Sequence, residues 1–193
     1  MNEATLNQQD DRRIFGFWVY LMTDCILFAT LFATFAVLRG NTFGGPAAHE
    51  LFNLPYALVE TLLLLTSSFI CGLAMVAMRA QQLRLLWALL LVTFVLGLSF
   101  VTMELTEFAH FVQDGASWQR SGFLSSFFTL VGTHGLHICA GLLWLIILGV
   151  QLLRNGLSVS MRRRLTLFSL FWHFLDVVWI FIFSIVYLMG VVL

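Results

Sequence analysis

Five stretches of the chain are almost wholly apolar, and short polar stretches separate them. A helix that crosses a bilayer needs roughly 20 consecutive, mostly apolar residues. The stretches at about 14–38, 55–78, 85–112, 122–153 and 165–192 meet that requirement. The pattern predicts an all-α, polytopic membrane bundle of five transmembrane helices over residues 14–193, preceded by a polar tail at 1–13. The third and fourth stretches are long enough to tilt or to project beyond the bilayer. The separators read as a Gly/Pro/Asn-containing loop (39–54), a tight turn (79–84), a polar turn (113–121) and a basic turn (154–164). Pro55 suits the first turn of its helix, where a missing N–H costs nothing.

Charge adds direction to this layout. All ten basic residues are arginine. Under five spans Arg12, Arg13, Arg79, Arg84, Arg154, Arg162, Arg163 and Arg164 fall on one side, and Arg39 and Arg120 on the other. Loops rich in Lys and Arg stay cytoplasmic, so the expected topology has the N-terminus in the cytoplasm and the C-terminus outside. Sixty per cent of the residues are apolar and ten per cent charged, too few charges to cover a soluble domain of 193 residues. The net charge is zero, and no basic patch with interleaved aromatics points to nucleic acid. The 1–13 segment carries no small-residue cleavage site beyond it, so the first apolar stretch reads as a retained anchor. Cys25, Cys71 and Cys139 are odd in number and each lies in an apolar run. They are expected to be small buried thiols rather than a disulfide framework.

The candidate chemistry lies inside the spans. Asp24, Glu60, Glu104, Glu107 and Asp176 fall within them, together with His110, His134, His137 and His173, and no arginine falls in a span interior. A charged carboxylate near a bilayer centre costs at least a few kcal/mol, so these acids must be protonated, hydrogen-bonded or paired with histidine. Glu104, Glu107 and His110 follow one another at intervals of three, which predicts one stripe of helix 3. His134 and His137 share a face of helix 4, and His173 and Asp176 a face of helix 5. Asp24 stands near mid-membrane on an apolar helix with no evident partner in its own helix. A hydrogen bond to another helix and a proton-handling or lipid-facing role both fit it. Glu60 reads as a helix-start acid favoured by the dipole.

A metal site is poorly matched. Glu107-x-x-His110 is a single E-x-x-H, whereas a bundle di-metal site wants two such motifs and two further glutamates. His134 and His137 are three apart rather than the four that place two ligands on one zinc. Interhelical hydrogen bonding by neutral histidines fits the pattern better. Gly132, Gly135 and Gly141 beside them are expected to allow close helix contact. No internal repeat or pair of broken helices supports a transporter, and no nucleophile–base pair or phosphate loop supports a soluble-type enzyme. Spacing and periodicity alone stop at a five-helix bundle with an internal polar network.

Four motifs go further. FGFWVYLMTDCILFATLF in helix 1, MELTEFAHF in helix 3, GFLSSFFTLVGTHGLHICAG in helix 4 and FWHFLDVVWIFIFSIVYLMG in helix 5 together resemble subunit III of the heme–copper oxidases, in order and along nearly the whole chain. Longer members of that family have seven helices. This chain lacks the first two and is similar to the short form found in bacterial quinol oxidases of the cytochrome bo type. The resemblance implies a non-catalytic accessory subunit in the bacterial cytoplasmic (inner) membrane. It implies packing against oxidase subunit I and other oxidase subunits, bound phospholipid, and support of proton uptake by subunit I. It places heme and copper in subunit I and no cofactor or metal in this chain. Asp24 matches the family's lipid- and proton-associated acid. Glu104, Glu107, His134, His137, His173 and Asp176 match its intramembrane polar network. The short form favours quinol as electron donor, with cytochrome c as the alternative.

Overall fold

A computed structural model describes residues 3–42 and 53–192. Five helices in it are long and apolar enough to cross a membrane. They are α1 (Glu3–Leu38), α2 (Leu54–Arg79), α3 (Leu83–Gln113), α4 (Gly122–Asn155) and α5 (Val159–Ile182). The chain continues from α5 through a π-helical segment, Phe183–Leu188, into α6 (Met189–Val192), so the fifth span runs from Val159 to Val191. The loop expected at 39–54 falls mostly on residues 43–52, outside the described residues.

Local chemistry sets the boundaries. The Asn53 side chain accepts from the Tyr56 backbone N–H, and Pro55 occupies the opening turn of α2. Ser121 and Ser158 cap α4 and α5 in the same way, through Leu124 N–H and Met161 N–H. The Ser158 cap draws Arg162, Arg163 and Arg164 into the first turns of α5, so the basic stretch expected as a turn is mostly helix. Gly156 ends α4 at φ +63°, a conformation in which a side chain is strained.

The α2–α3 pair makes the broadest contact; α5 packs on α4 and α2, and α1 packs chiefly on α4. Large rings fill the centre: Trp172, Trp179, Tyr187, Phe100 and Phe127 are wholly buried. Outward faces are apolar as well, with Leu136 71% and Phe69 66% exposed, as expected where the solvent is lipid or a partner helix rather than water. The cysteine expectation needs correcting. All three are free, but only Cys71 is buried, and Cys25 and Cys139 lie on outward faces. In a membrane bundle an apolar run is apolar on all sides, so membership of one does not place a residue inside.

Candidate functional site: a buried polar layer

Glycine and tryptophan bring the helices close enough for polar groups to meet. A Cβ on Gly141 of α4 would stand 2.9 Å from the Trp172 ring, and one on Gly97 of α3 also 2.9 Å from it. Trp172 therefore lies in a slot between two helices, and its indole N–H donates to Ser67 Oγ of α2 at 3.1 Å. One α5 side chain ties three other helices together. Two turns further on, Trp179 N–H donates to Thr61 Oγ1 at 3.0 Å. Gly132 differs from its neighbours: a Cβ there would meet only Phe108, at an ordinary 3.8 Å.

Polar side chains gather in three places. The first lies between α2, α3, α4 and the π-helical segment. Glu104, Glu107 and Glu60 are all buried and face one another. Glu107 Oε2 accepts from the Tyr187 hydroxyl at 2.7 Å. The Glu104 carboxyl lies against the backbone of α4, where a Cβ on Gly135 would come within about 2.5 Å of its Oε2. Both Glu60 oxygens, Glu104 Oε1 and Glu107 Oε1 have no hydrogen-bond partner among the described residues. Glu60 is not a helix-start acid: it is six residues beyond Leu54, past the reach of the dipole's first turn, and points into the core. His110 leaves the expected stripe and is exposed. Steps of three rotate about 60° short of a full turn each, so the third member of the series stands about 120° away from Glu104.

The second place is the α1–α4 seam. His137 Nδ1 lies 2.7 Å from the Thr133 carbonyl. A carbonyl only accepts, so Nδ1 carries the proton of that bond, and Nε2 faces Asp24 Oδ2 at 3.7 Å. That distance permits electrostatic pairing but is too long for a direct hydrogen bond. Tyr20, one turn before Asp24 on the same helix, stands beside the same carboxyl. Asp24 therefore has a neighbour in its own helix, four residues back, which the aromatic-rich stretch around Tyr20 conceals in the sequence.

The third place is the α2–α5 seam, where Ser68 Oγ and His173 Nδ1 are 2.6 Å apart and Asp176 faces both Ser68 and His173. His134 lies beside the second place, against the same Phe28 ring as His137. Its ring is fully buried 5.2 Å from Trp179 and 6.0 Å from Phe100, and neither ring nitrogen has a hydrogen-bond partner among the described residues. It packs as an aromatic. His134 and His137 share the flank of α4 that meets Phe28, at 6.3 and 5.3 Å between ring centroids, but only His137 reaches Asp24, and His173 lies at a third place. Among the described residues no three His, Cys, Asp or Glu side chains converge as metal ligands would.

Sequence reasoning named Glu60 but gave it the wrong place, at a helix start, and it missed Tyr187. Glu60 had a usable signal: Ala57, Glu60, Leu64, Ser67, Cys71 and Ala74 form a heptad-like stripe of buried residues on α2. Tyr187 had none, since a π-helical turn sets its direction.

Comparison with known proteins adds the following. Residues 5–191 match the family described as Cytochrome c oxidase subunit III. The chain is 54% identical to Cytochrome bo(3) ubiquinol oxidase subunit 3 of Pseudomonas aeruginosa, covering 92% of this chain and 85% of the relative. It is 45% identical to the protein of the same name in Buchnera aphidicola, covering 94% and 93%. It is 46% identical to Quinol oxidase subunit 3 of Bacillus subtilis, covering 92% and 87%.

Proposed function

This chain belongs to the cytochrome c oxidase subunit III family, and from that membership we propose that it is the accessory third subunit of a proton-pumping heme–copper quinol oxidase in the bacterial inner membrane. The observation that carries the reading is similarity along all five spans to proteins named as quinol oxidase subunit 3. The geometry agrees with a non-catalytic role. Four side-chain pairs join buried polar groups on different helices, Trp172–Ser67, Trp179–Thr61, Tyr187–Glu107 and His173–Ser68, and hold the bundle together.

The residues present do not fit a heme or a copper ion. His137 is engaged by Thr133 and Asp24, His173 by Ser68, and His134 is enclosed by rings. Redox chemistry accordingly belongs to subunit I, against which this chain packs. Eight arginines at one end of the bundle and two at the other support a cytoplasmic N-terminus and an external C-terminus. Asp24, with Tyr20 and His137 on the outer seam of the bundle, is the acid that takes part in lipid retention or proton supply. Glu104, Glu107, His173 and Asp176 hold the helices in register.

The test is to tag this chain, purify it in mild detergent, identify the co-purifying chains and record a reduced-minus-oxidised heme spectrum. Heme bands that accompany a large multi-helix partner, and vanish when it is stripped away, are expected. Heme retained by the isolated chain overturns the reading, as does purification without any partner.

A further inference from the structure

Between α5 and α6 the helix makes one π turn: the Met189 N–H donates to the Ser184 carbonyl, five residues back rather than the four of an α-helix. We propose that this turn is a two-position latch. In the present position Tyr187 is bonded to Glu107 and the turn is π. With that bond lost, the turn relaxes to α and swings α6 about the helix axis by about 100°, the angle of one residue.

Nothing in the segment itself calls for a π turn. Its sequence, FSIVYL, has neither proline nor glycine, the usual local causes of a break. Left to local preference it would carry α5 on as α-helix, with the Met189 N–H on the Ile185 carbonyl. On that course Tyr187, eight residues beyond Trp179, would stand about 80° round from it. The extra residue of the π turn takes back about 100°, and the two rings lie 6.2 Å apart on one buried side.

A tertiary contact therefore sets the register, and the hydroxyl is its decisive part. Tyr187 is wholly buried, with the Phe127 ring at 6.0 Å, and its hydroxyl donates to Glu107 Oε2 at 2.7 Å. The ring alone gains little by being inside, because lipid tails are as apolar as the core. The hydroxyl needs an acceptor in hydrocarbon, and Glu107 supplies one. A carboxylate accepts a hydrogen bond roughly twice as strong as a neutral group does, so charge on Glu107 tightens the latch and a proton bound there loosens it. The titratable groups that face Glu107 are Glu60 from α2, Glu104 from α3 and Tyr187 itself. Leu188 and Met189, just past the turn, are exposed. The latch thus ties the side chains that this end of the fifth span shows its neighbours to the state of the buried acid layer, as two arrangements of one segment biased by one bond.

This inference rests on the fold and goes beyond the accessory-subunit reading. The test is cryo-electron microscopy of the purified complex, wild type and variants, with a heme spectrum of each preparation to show that the assembly is intact. A swing of 100° at a Cα radius of about 2.3 Å moves a Cα by about 3.5 Å. Tyr187→Phe keeps the ring and removes the donor, so the segment is expected to be α throughout with the Met189 Cα displaced by that amount. Glu107→Gln, a neutral stand-in for the protonated acid, is expected to divide the particles between both registers. Deletion of Ser184 takes out the surplus residue. It should give an α turn with Met189 in its wild-type position, and adding Tyr187→Phe to the deletion should move nothing. An unmoved Met189 in Tyr187→Phe overturns the latch, as does an equal displacement when the same change is made in the deletion background. A wild-type complex without the π turn overturns it too. Glu107→Gln particles that all keep the wild-type register overturn the link to charge. Loss of the heme spectrum from Tyr187→Phe counts against the latch as well, because a latch opens without dismantling the assembly.

Discussion

Replacing Gly141 with alanine tests how the bundle is held together. The new methyl would stand 2.9 Å from Trp172 Cζ3, 3.1 Å from Cε3 and 3.3 Å from Phe171 Cε1. The indole cannot retreat, because Gly97 gives a Cβ distance of 2.9 Å on its other face and its N–H is committed to Ser67. Overpacking of this kind costs about 1–3 kcal/mol. Losing the Trp172–Ser67 hydrogen bond adds roughly 0.6 kcal/mol, the average for interhelical bonds in a membrane bundle. Alanine in a helix interior recovers about 1 kcal/mol relative to glycine. The net expectation is destabilisation of about 0.6–2.6 kcal/mol. Gly132→Ala is the control, since its methyl meets only Phe108 at 3.8 Å; it should be neutral or stabilising by up to about 1 kcal/mol. The assay is reversible unfolding of the purified chain in mixed micelles with increasing denaturing detergent, followed by tryptophan fluorescence. Adding Trp172→Phe to Gly141→Ala should recover part of the loss in a double-mutant cycle. Equal stabilities for Gly141→Ala and Gly132→Ala, or no coupling to position 172, would refute the slot.

Four further outcomes follow from the same geometry. Tyr187→Phe leaves Glu107 Oε2 as unpartnered as Oε1 already is and should cost about 1–3 kcal/mol in the same unfolding assay, with a smaller loss when Glu107→Gln is also present. His134→Phe removes two buried ring nitrogens that lack partners and should leave stability unchanged or raised; failure to assemble would mean that the ring is hydrogen-bonded within the complex. Asp24→Ala should keep initial oxygen consumption near wild type while bound lipid, measured by mass spectrometry, and activity over many turnovers decline; immediate and complete loss of turnover contradicts this. Asp176→Leu strands Ser68 and His173 at the α2–α5 seam and should lower the yield of intact complex on native gels, where a normal yield would count against it.

Much of the architecture was legible because lipid imposes a simple rule. A chain in hydrocarbon must satisfy its backbone within each segment, so span number and approximate limits follow from apolar run length and from capping residues such as Ser121 and Asn53. The arginine pattern is likewise a property of the chain order. The polar residues that would need partners could also be named, because an acid or histidine in a span is conspicuous in any reading. Which groups meet was not legible. Apolar runs look alike on all faces, so burial of Cys71 and exposure of Cys25 and Cys139 depend on how each helix is rotated in the bundle. Equal spacing on one helix sent His134 to a ring cage and His137 to Asp24, because the neighbouring helices differ at the two positions. Glu60 and Tyr187 entered the polar layer only through the packing of α2 and the π-helical turn after α5. The sequence by itself determined that this chain lives in a membrane as five helices carrying buried acids and histidines. Only the tertiary structure decided their partners, since helix rotation and close approach at Gly97, Gly135 and Gly141 are set by contacts between segments far apart in the chain.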